Sequence, residues 1–474
     1  MDIVKALIDF MYFLNGIVWG LPAIITLVGA GLLFTIYSKG VQFRRFPLAI
    51  KNMAYRGAKE KGGYKPFAIW AAVMGATVGV GNIAGVATAI YKGGPGAVFW
   101  MWICALIGMS TKAFEVTLGA WSRREERGEV VEGGTPYYIR LVPVIGPVLA
   151  VLFALFAWIS AFGIGNMVQA NNVAMATEWI AEQYGWDIPT TRLAAGILMA
   201  FFAALVVIGG IKRLAEVANY LIPFMLTWYI AVALILWISR PIDFGRAVVE
   251  IFTHAFTPYA VTGGVAGYAV KWGVSQGIRY GLARGLFSNE AGLGSAPNLY
   301  AFMKIDHPGR AGLYGIFEVF MDTIVVCSLT GISIVLVGAH LKYDLSGSKL
   351  AFAAYKEFYG PYVPIALGIA LALFAYTTIL SWWAYGEINF KYFFSKTLKL
   401  PEKLVIWIWR ILWILPIIPA AYLGELFEIF WDFADTMNGL MMIPNLIAVA
   451  YFAPLAAKLI DDFANKLKKG EITG

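Results

Sequence analysis

The chain has 474 residues, of which 60% are hydrophobic and only 14% are charged. A water-soluble domain of this length could not hide that much apolar surface, so the composition describes an all-α polytopic membrane protein. The formal net charge is +8, but eight cations (Lys39, Arg44, Arg45, Lys51, Arg56, Lys59, Lys61 and Lys65) crowd one polar connection near the N-terminus. Their placement beside helix ends points to anionic lipid headgroups as neighbours and away from nucleic acid.

The start, Met1-Asp2-Ile3-Val4-Lys5, has no basic n-region and no small-residue cleavage site follows, so the first apolar run is expected to be retained as a helix. Apolar stretches long enough to cross roughly 30 Å of hydrocarbon recur at 15–38, 65–91, 95–121, 146–180, 191–211, 214–238, 264–287, 311–340, 361–390, 404–423 and 427–457. That predicts eleven transmembrane helices. With the first basic loop inside, 25 Lys and Arg fall on the inner side, Arg284 among them, and 8 on the outer side. The bias predicts an N-terminus outside and a C-terminus inside, in a cytoplasmic membrane. Cys104 and Cys327 both lie in apolar runs, and the histidines His254, His307 and His340 lack ligand spacing. Neither set suggests a metal site or a disulfide framework.

Within 65–91 the run Met74-Gly75-Ala76-Thr77-Val78-Gly79-Val80-Gly81-Asn82 interrupts an ordinary spanning helix. Each glycine costs a helix interior about 1 kcal/mol relative to alanine, so several together favour unwinding. In hydrocarbon an unwound backbone is tolerated only where it is buried in protein or lines a cavity, and its freed groups can bind a solute. The competing reading is that the glycines only allow close helix packing. A second glycine-rich interruption, Lys271 to Gly281, opens 264–287. Setting the first helix aside leaves five plus five helices of opposite orientation, and matched breaks in two inverted halves point to a midplane binding site. The predicted organisation is an N-terminal extra helix (1–40), a basic cytoplasmic loop (41–64), a first repeat (65–240), an extracellular connection (241–263), a second repeat (264–457) and a cytoplasmic tail (458–474).

In 146–180, Phe162, Asn166, Gln169 and Asn172 follow one another at steps of four, three and three, which places them on one α-helical face. Neutral amides at mid-membrane suit the ammonium or carboxylate of a small zwitterion, although Asn and Gln also serve as interhelical hydrogen-bonding groups. Among the intramembrane charges, Lys112 and Glu115 are three apart, Lys271 and Arg279 flank the second interruption, and Glu318, Asp322 and Glu387 are expected as structural or gating partners. Trp382 and Trp383 are candidates to cap the pocket.

Gly75 to Ile90 (GATVGVGNIAGVATAI), Gly93-Gly94-Pro95-Gly96 and Gly285 to Pro297 (GLFSNEAGLGSAP) resemble the alanine or glycine:cation symporter family, a group with the five-plus-five inverted-repeat (LeuT-type) fold. The likeness extends over nearly the whole chain. It implies uptake of alanine or glycine with Na⁺ as the coupling ion, and no organic cofactor. The backbone of Thr77 to Gly81, with Gly79 and Gly81, and the Thr77 hydroxyl would receive the carboxylate. Ser275-Gln276-Gly277 resembles the small-residue break of leucine-transporter relatives and would face the ammonium, with Trp272 and Ile278 as walls. Thr377 and Thr378 stand where related symporters place Na⁺, completed by the carbonyls of Gly75 and Val78; an isolated Thr-Thr pair would instead bond to its own backbone. Asn82 matches an asparagine of a second Na⁺ site, but Gly273 takes the place of its hydroxyl ligand. One Na⁺ per substrate is therefore expected. The alternatives are a proton-coupled or broader amino-acid permease and, in a different class, a membrane enzyme or channel. No catalytic cluster or repeated filter loop supports the latter two. Nothing in the sequence points to a particular oligomeric state.

Overall fold

A computed structural model describes residues 10, 13–57, 62–126, 129–263, 267–423 and 428–472. Lys5, Lys59, Lys61, Arg127 and the expected start of the second repeat at 264–266 lie outside the described residues. The main helices, in chain order, are α1 (Leu21–Tyr37), α2 (Pro66–Thr77), α3 (Ala84–Gly93), α4 (Gly96–Trp121), α5 (Gly146–Ser160), α6 (Val168–Tyr184), α7 (Ile188–Val207), α8 (Gly210–Ser239), α9 (Pro241–Phe256) and α10 (Val274–Asn289). They continue with α11 (Pro308–Val319), α12 (Ser328–Leu336), α13 (Gly347–Tyr359), α14 (Ile369–Lys391), α15 (Glu402–Ile414), α16 (Glu428–Leu440), α17 (Met442–Tyr451) and α18 (Ala453–Lys468).

Among the described residues, eight helical segments are long and apolar enough to span a membrane, and up to ten when each of two bent pairs counts as one span. One bent pair is α2 with the turn and α3 that follow it, kinked by 59°; the other is Phe433–Tyr451 with α18, kinked by 65°. The segment that would make an eleventh is α10, which is short, interrupted at its end and carries Arg279 and Arg284. Two antiparallel hairpins sit between helices, Arg124–Glu126 with Glu129–Glu132 and Tyr259–Gly263 with Gly267–Trp272.

Local chemistry explains the first interruption. Pro66 starts α2, where its missing N–H removes no helical bond. The helix stops at Thr77: Val78 leaves helical geometry (φ −80°, ψ 89°) and Gly79 is extended. A single 3₁₀ turn, Val80–Asn82, then leads into α3.

The second interruption falls elsewhere than the sequence suggests. Lys271 and Trp272 end a strand and α10 runs unbroken from Val274 to Asn289. Unwinding comes at Glu290 (φ 55°), Gly292 (φ 98°) and Gly294 (φ 74°), before a short helix at Pro297–Tyr300. Three left-handed residues in five cannot continue an α-helix, and glycine tolerates them best. The glycines in α10 serve packing instead. Gly277, Gly281 and Gly285 recur every fourth residue and press on Gly93, Ala97, Trp100 and Cys104, a small-residue seam of the kind that lets membrane helices approach closely. Arg284 consequently lies on the half of the span that precedes the break, at the same end as Lys92 and Lys271, and not in an inner loop.

A Cβ placed on Gly281 would come 2.4 Å from the Ala97 carbonyl oxygen. Gly281→Ala should lower stability by about 1–3 kcal/mol through overpacking, read as a drop in thermal unfolding temperature in detergent. Ser275→Ala, at an exposed position, should change it by no more than about 0.5 kcal/mol. Equal melting of both variants would contradict the seam.

Candidate functional site

The first break is held from two sides. On its own side, the Asn82 Oδ1 accepts from the Gly79 N–H at 2.9 Å, and the Asn82 Nδ2 donates to Asp322 Oδ1 at 2.6 Å. Asp322 lies in the π-helical turn between α11 and α12. It also accepts from the Ser288 hydroxyl at 2.9 Å and from Thr323 at 2.7 Å. One carboxylate thereby ties the first break to the last turn of α10. Ser288 was not singled out in the sequence, because the break was sought near Gly273 and not seventeen to twenty-one residues later.

From the other side comes α14. Thr378 Oγ1 donates within 3.0 Å of the Gly75 carbonyl and 2.9 Å of the Phe374 carbonyl. Thr377 Oγ1 is 3.0 Å from both Leu373 and Phe374 carbonyls, and Ser381 donates to the Ala72 carbonyl at 2.5 Å. Oxygens of Gly75, Phe374 and Thr378 therefore converge where α2 unwinds, a donor set of a hydroxyl and carbonyls that suits a hard monovalent cation; the Thr377 hydroxyl stays on its own helix and lies 3.4 Å from Met225 Sδ. Phe374 contributes through its backbone, which no side-chain pattern reveals. Val78 adjoins the set as the first residue out of the helix.

Gln169 reaches the same point from α6. Its Nε2 donates to the Ile164 carbonyl at 3.0 Å, while its Oε1 is buried without a hydrogen-bond partner among the described residues. A Cβ on Gly79 would lie 3.7 Å from that oxygen and 2.6 Å from Thr378 Oγ1. Gly79 thus marks the place where the backbone, Gln169 and Thr378 meet. Thr77 turns its hydroxyl back to Val73 and Met74 at 3.3 and 3.4 Å, so it does not face this space. Gly81 is half-exposed with the Phe287 ring 3.7 Å from its Cβ position.

Phe162 and Asn166 are not brought to the break. The chain from Ala161 to Met167 is π-helical, and its wider turn rotates these residues away from the face that an α-helical period assigns them. Phe162 packs on Trp409 and Trp413 at 4.9 and 5.9 Å, and Asn166 Nδ2 donates to the Trp413 carbonyl at 2.6 Å. Asn172 bonds to Val168. Trp382 packs against Gly165 and Trp383 lies against α15, so neither caps the break. Trp272, Ser275, Gln276, Gly277 and Ile278 are also remote. Thirteen residues separate Gly277 from Glu290, about 20 Å of helix. Trp272 donates to the Tyr91 carbonyl, Gln276 caps its own helix by accepting from Gly273 N–H, and Ile278 packs in the apolar core.

The buried charges brace the second break. Lys112 pairs with Glu318 at 3.2 Å, both fully buried. Glu115 accepts from the Gly294 N–H at 3.1 Å and from Asn445 of α17, which also donates to the Gly292 carbonyl at 2.8 Å. Glu387 pairs with Arg410 at 2.9 Å, far along α14. Residues 68–80 and 288–301 are all buried, whereas Gly81, Ala84, Gly85, Arg284 and Phe287 are partly exposed. The breaks are therefore sealed on the Lys65 side and approached from the Lys92 side.

Two broken helices that meet at mid-span are transporter architecture, and comparison with known proteins identifies which. The chain matches the Sodium:alanine symporter family over residues 2–473. It belongs to that family. It is 36% identical over 468 residues to the sodium/alanine symporter AgcS of Methanococcus maripaludis, covering 96% of this chain and 97% of the relative. The amino-acid carrier protein AlsT of Bacillus subtilis is 34% identical, with 94% and 90% covered, and the probable sodium/glutamine symporter GlnT of the same organism 33%, with 96% and 91% covered. Among solved structures, MhsT in complex with L-phenylalanine is similar with a TM-score of 0.55 and 15% identity, over 84% of this chain and 98% of that one. That likeness establishes the LeuT-type transporter fold. As a sodium:alanine symporter family member, the protein is a multi-pass membrane transporter and not an enzyme.

Within this site, Gln169→Ala should weaken amino-acid binding while Asn166→Ala leaves it within about twofold, read by equilibrium binding of labelled substrate to purified protein. The reverse order would return the substrate to the α15 side.

Proposed function

We propose that the protein imports alanine or glycine together with Na⁺, one ion per substrate, by alternating access. The observation that carries this reading is the meeting of Gly75, Thr378, Gly79 and Gln169 Oε1, unpartnered among the described residues, at the first break. A Na⁺ drawn in between the Gly75 and Phe374 carbonyls and the Thr378 hydroxyl fixes the end of α2. That orders the turn whose first N–H groups, at Val80 and Gly81, are the unsatisfied donors of a helix N-terminus. A carboxylate placed there gains those donors, and Gln169 Oε1 accepts from the ammonium. Ion and amino acid thus each stabilise the geometry the other needs, a reciprocal coupling. The room beside Gly79 is bounded closely by Thr378 and Gln169, which supports a small side chain; the GlnT relative is why glutamine belongs in the substrate panel.

The motion that delivers the substrate is a rocking of α2/α3, α4, α10 and α11 against the other helices. With the charge bias of the loops, the partly exposed end is the outside, and the described conformation is the one that receives substrate.

The test is uptake into proteoliposomes with an imposed Na⁺ gradient. Alanine or glycine accumulation that collapses when Na⁺ is replaced by K⁺ is expected; uptake driven by a proton gradient and indifferent to Na⁺ would overturn the ion assignment. Thr378→Val should raise the Na⁺ concentration for half-maximal uptake by about tenfold or more, the loss of one charge-assisted contact of roughly 1.5–3 kcal/mol. An unshifted Na⁺ dependence would remove Thr378 from the ion site. Gly79→Ala, whose Cβ collides with the Thr378 hydroxyl, should abolish uptake with the protein still present in the membrane.

A further inference from the structure

Along the accessible side of the breaks stands a basic residue that the transport reading leaves unused. On α10, Tyr280, Arg284 and Phe287 are four and three residues apart and share one face. That face looks onto α3: Phe287 lies 3.7 Å from the Cβ position of Gly81, and the Arg284 Cδ lies 4.0 Å from that of Gly85. The Arg284 guanidinium stands 5.7 Å over the Phe287 ring. Among the described residues, no carboxylate or carbonyl accepts a hydrogen bond from it. It is half-buried, one helical turn beyond the turn at Val80–Asn82.

Other cations continue the line outward. Arg279 and Lys92 both stand over the Tyr280 ring, at 5.5 and 5.7 Å. Lys271 stands 4.3 Å over Trp272 and donates to the His340 carbonyl at 3.2 Å. The carboxylates in the same region are engaged: Asp344 accepts from Tyr91 Oη at 2.8 Å, and Glu250 faces His340 Nε2 at 2.9 Å. Four cations therefore stand on this side of the first break, and Arg284, beside Gly85, is the nearest to it in the chain packing.

A guanidinium stays charged at every physiological pH and offers donors in a planar fork that matches a carboxylate. Alanine and glycine are zwitterions without net charge, so such a group acts on the carboxylate end by direct contact and orientation at short range. A purely structural arginine would be expected to bond to a carboxylate or to carbonyls, as Arg310 does with Asp306.

We propose that Arg284 is a carboxylate-capture subsite: it takes the carboxylate of the incoming amino acid from water and passes it one turn inward to the break at Gly79–Asn82. The subsite rests on the amino-acid symport reading and adds to it the residue that governs association. Its ligand class is the α-carboxylate of a zwitterion, and its effect falls on binding more than on the translocation step.

The test uses the full chain in proteoliposomes under an imposed Na⁺ gradient, with wild type, R284Q and R284K compared for labelled alanine. R284Q is expected to raise KM about tenfold, the loss of one charge-assisted carboxylate contact, with kcat within about twofold. R284K, which keeps the charge and loses the fork, recovers most of that rise. Adding choline chloride lowers kcat/KM of the wild type more steeply than that of R284Q, because screening acts on the charge that the variant lacks. An active wild type with R284Q unchanged in KM, or with kcat alone reduced, or with the same salt dependence as wild type, overturns the subsite and leaves symport standing. A wild type that moves no amino acid overturns the symport reading and the subsite with it.

Discussion

A peptide group that leaves its helix inside the hydrocarbon has to find a partner within the protein, since lipid offers none. Among the described residues two stretches do so, at Val78–Ile83 and at Glu290–Ser295, and a set of buried polar side chains is spent on them. Asn82 and Thr378 satisfy the first, Glu115 and Asn445 the second, and Asp322 joins the two. The remainder of the fold reads as an arrangement that brings these partners to mid-span.

The partners differ in where they stand. Asp322 with Asn82 and Ser288, and Lys112 with Glu318, connect elements of the same group, α2/α3, α4, α10 and α11. Removing one member of a fully buried ion pair costs about 3–5 kcal/mol, so this group is firmly held together. Thr378 with Gly75, Ser381 with Ala72 and Gln169 beside Gly79 instead cross from α14 and α6 to α2. The two hydrogen bonds are neutral and single, each worth about 1 kcal/mol net, and Gln169 Oε1 only stands beside Gly79. Such contacts are weak enough to be exchanged for an ion or a substrate. The proposed Na⁺ and amino-acid positions both fall on that boundary, which is where binding can control how one group moves against the other.

Much of this was legible beforehand. Hydropathy places most spans within a few residues of the observed helices, as with 95–121 against Gly96–Trp121 and 404–423 against Glu402–Leu423. The first break was legible because Gly75, Gly79 and Gly81 accompany a polar Thr and Asn. The second was misplaced because glycine has two uses in membranes. Gly277 and Gly281 pack against α3 and α4, while the unwinding sits in Asn289 to Ser295, inside the stretch that carried the family resemblance. Phe162 and Asn166 were misassigned for a related reason: a period of 3.6 does not hold through the π-helical turn at Ala161–Met167, so only Gln169, beyond it, faces Gly79. Backbone ligands such as the Phe374 carbonyl leave no mark on a side-chain pattern at all.

The central claim is that the cation orders the first break. Hydrogen–deuterium exchange of peptides covering residues 75–83, in detergent-purified protein held in NaCl or in KCl at equal ionic strength, tests it directly. The account predicts slower amide exchange of that stretch in NaCl, with the α5 and α7 peptides exchanging alike in both salts. Identical exchange of residues 75–83 in the two salts would contradict it.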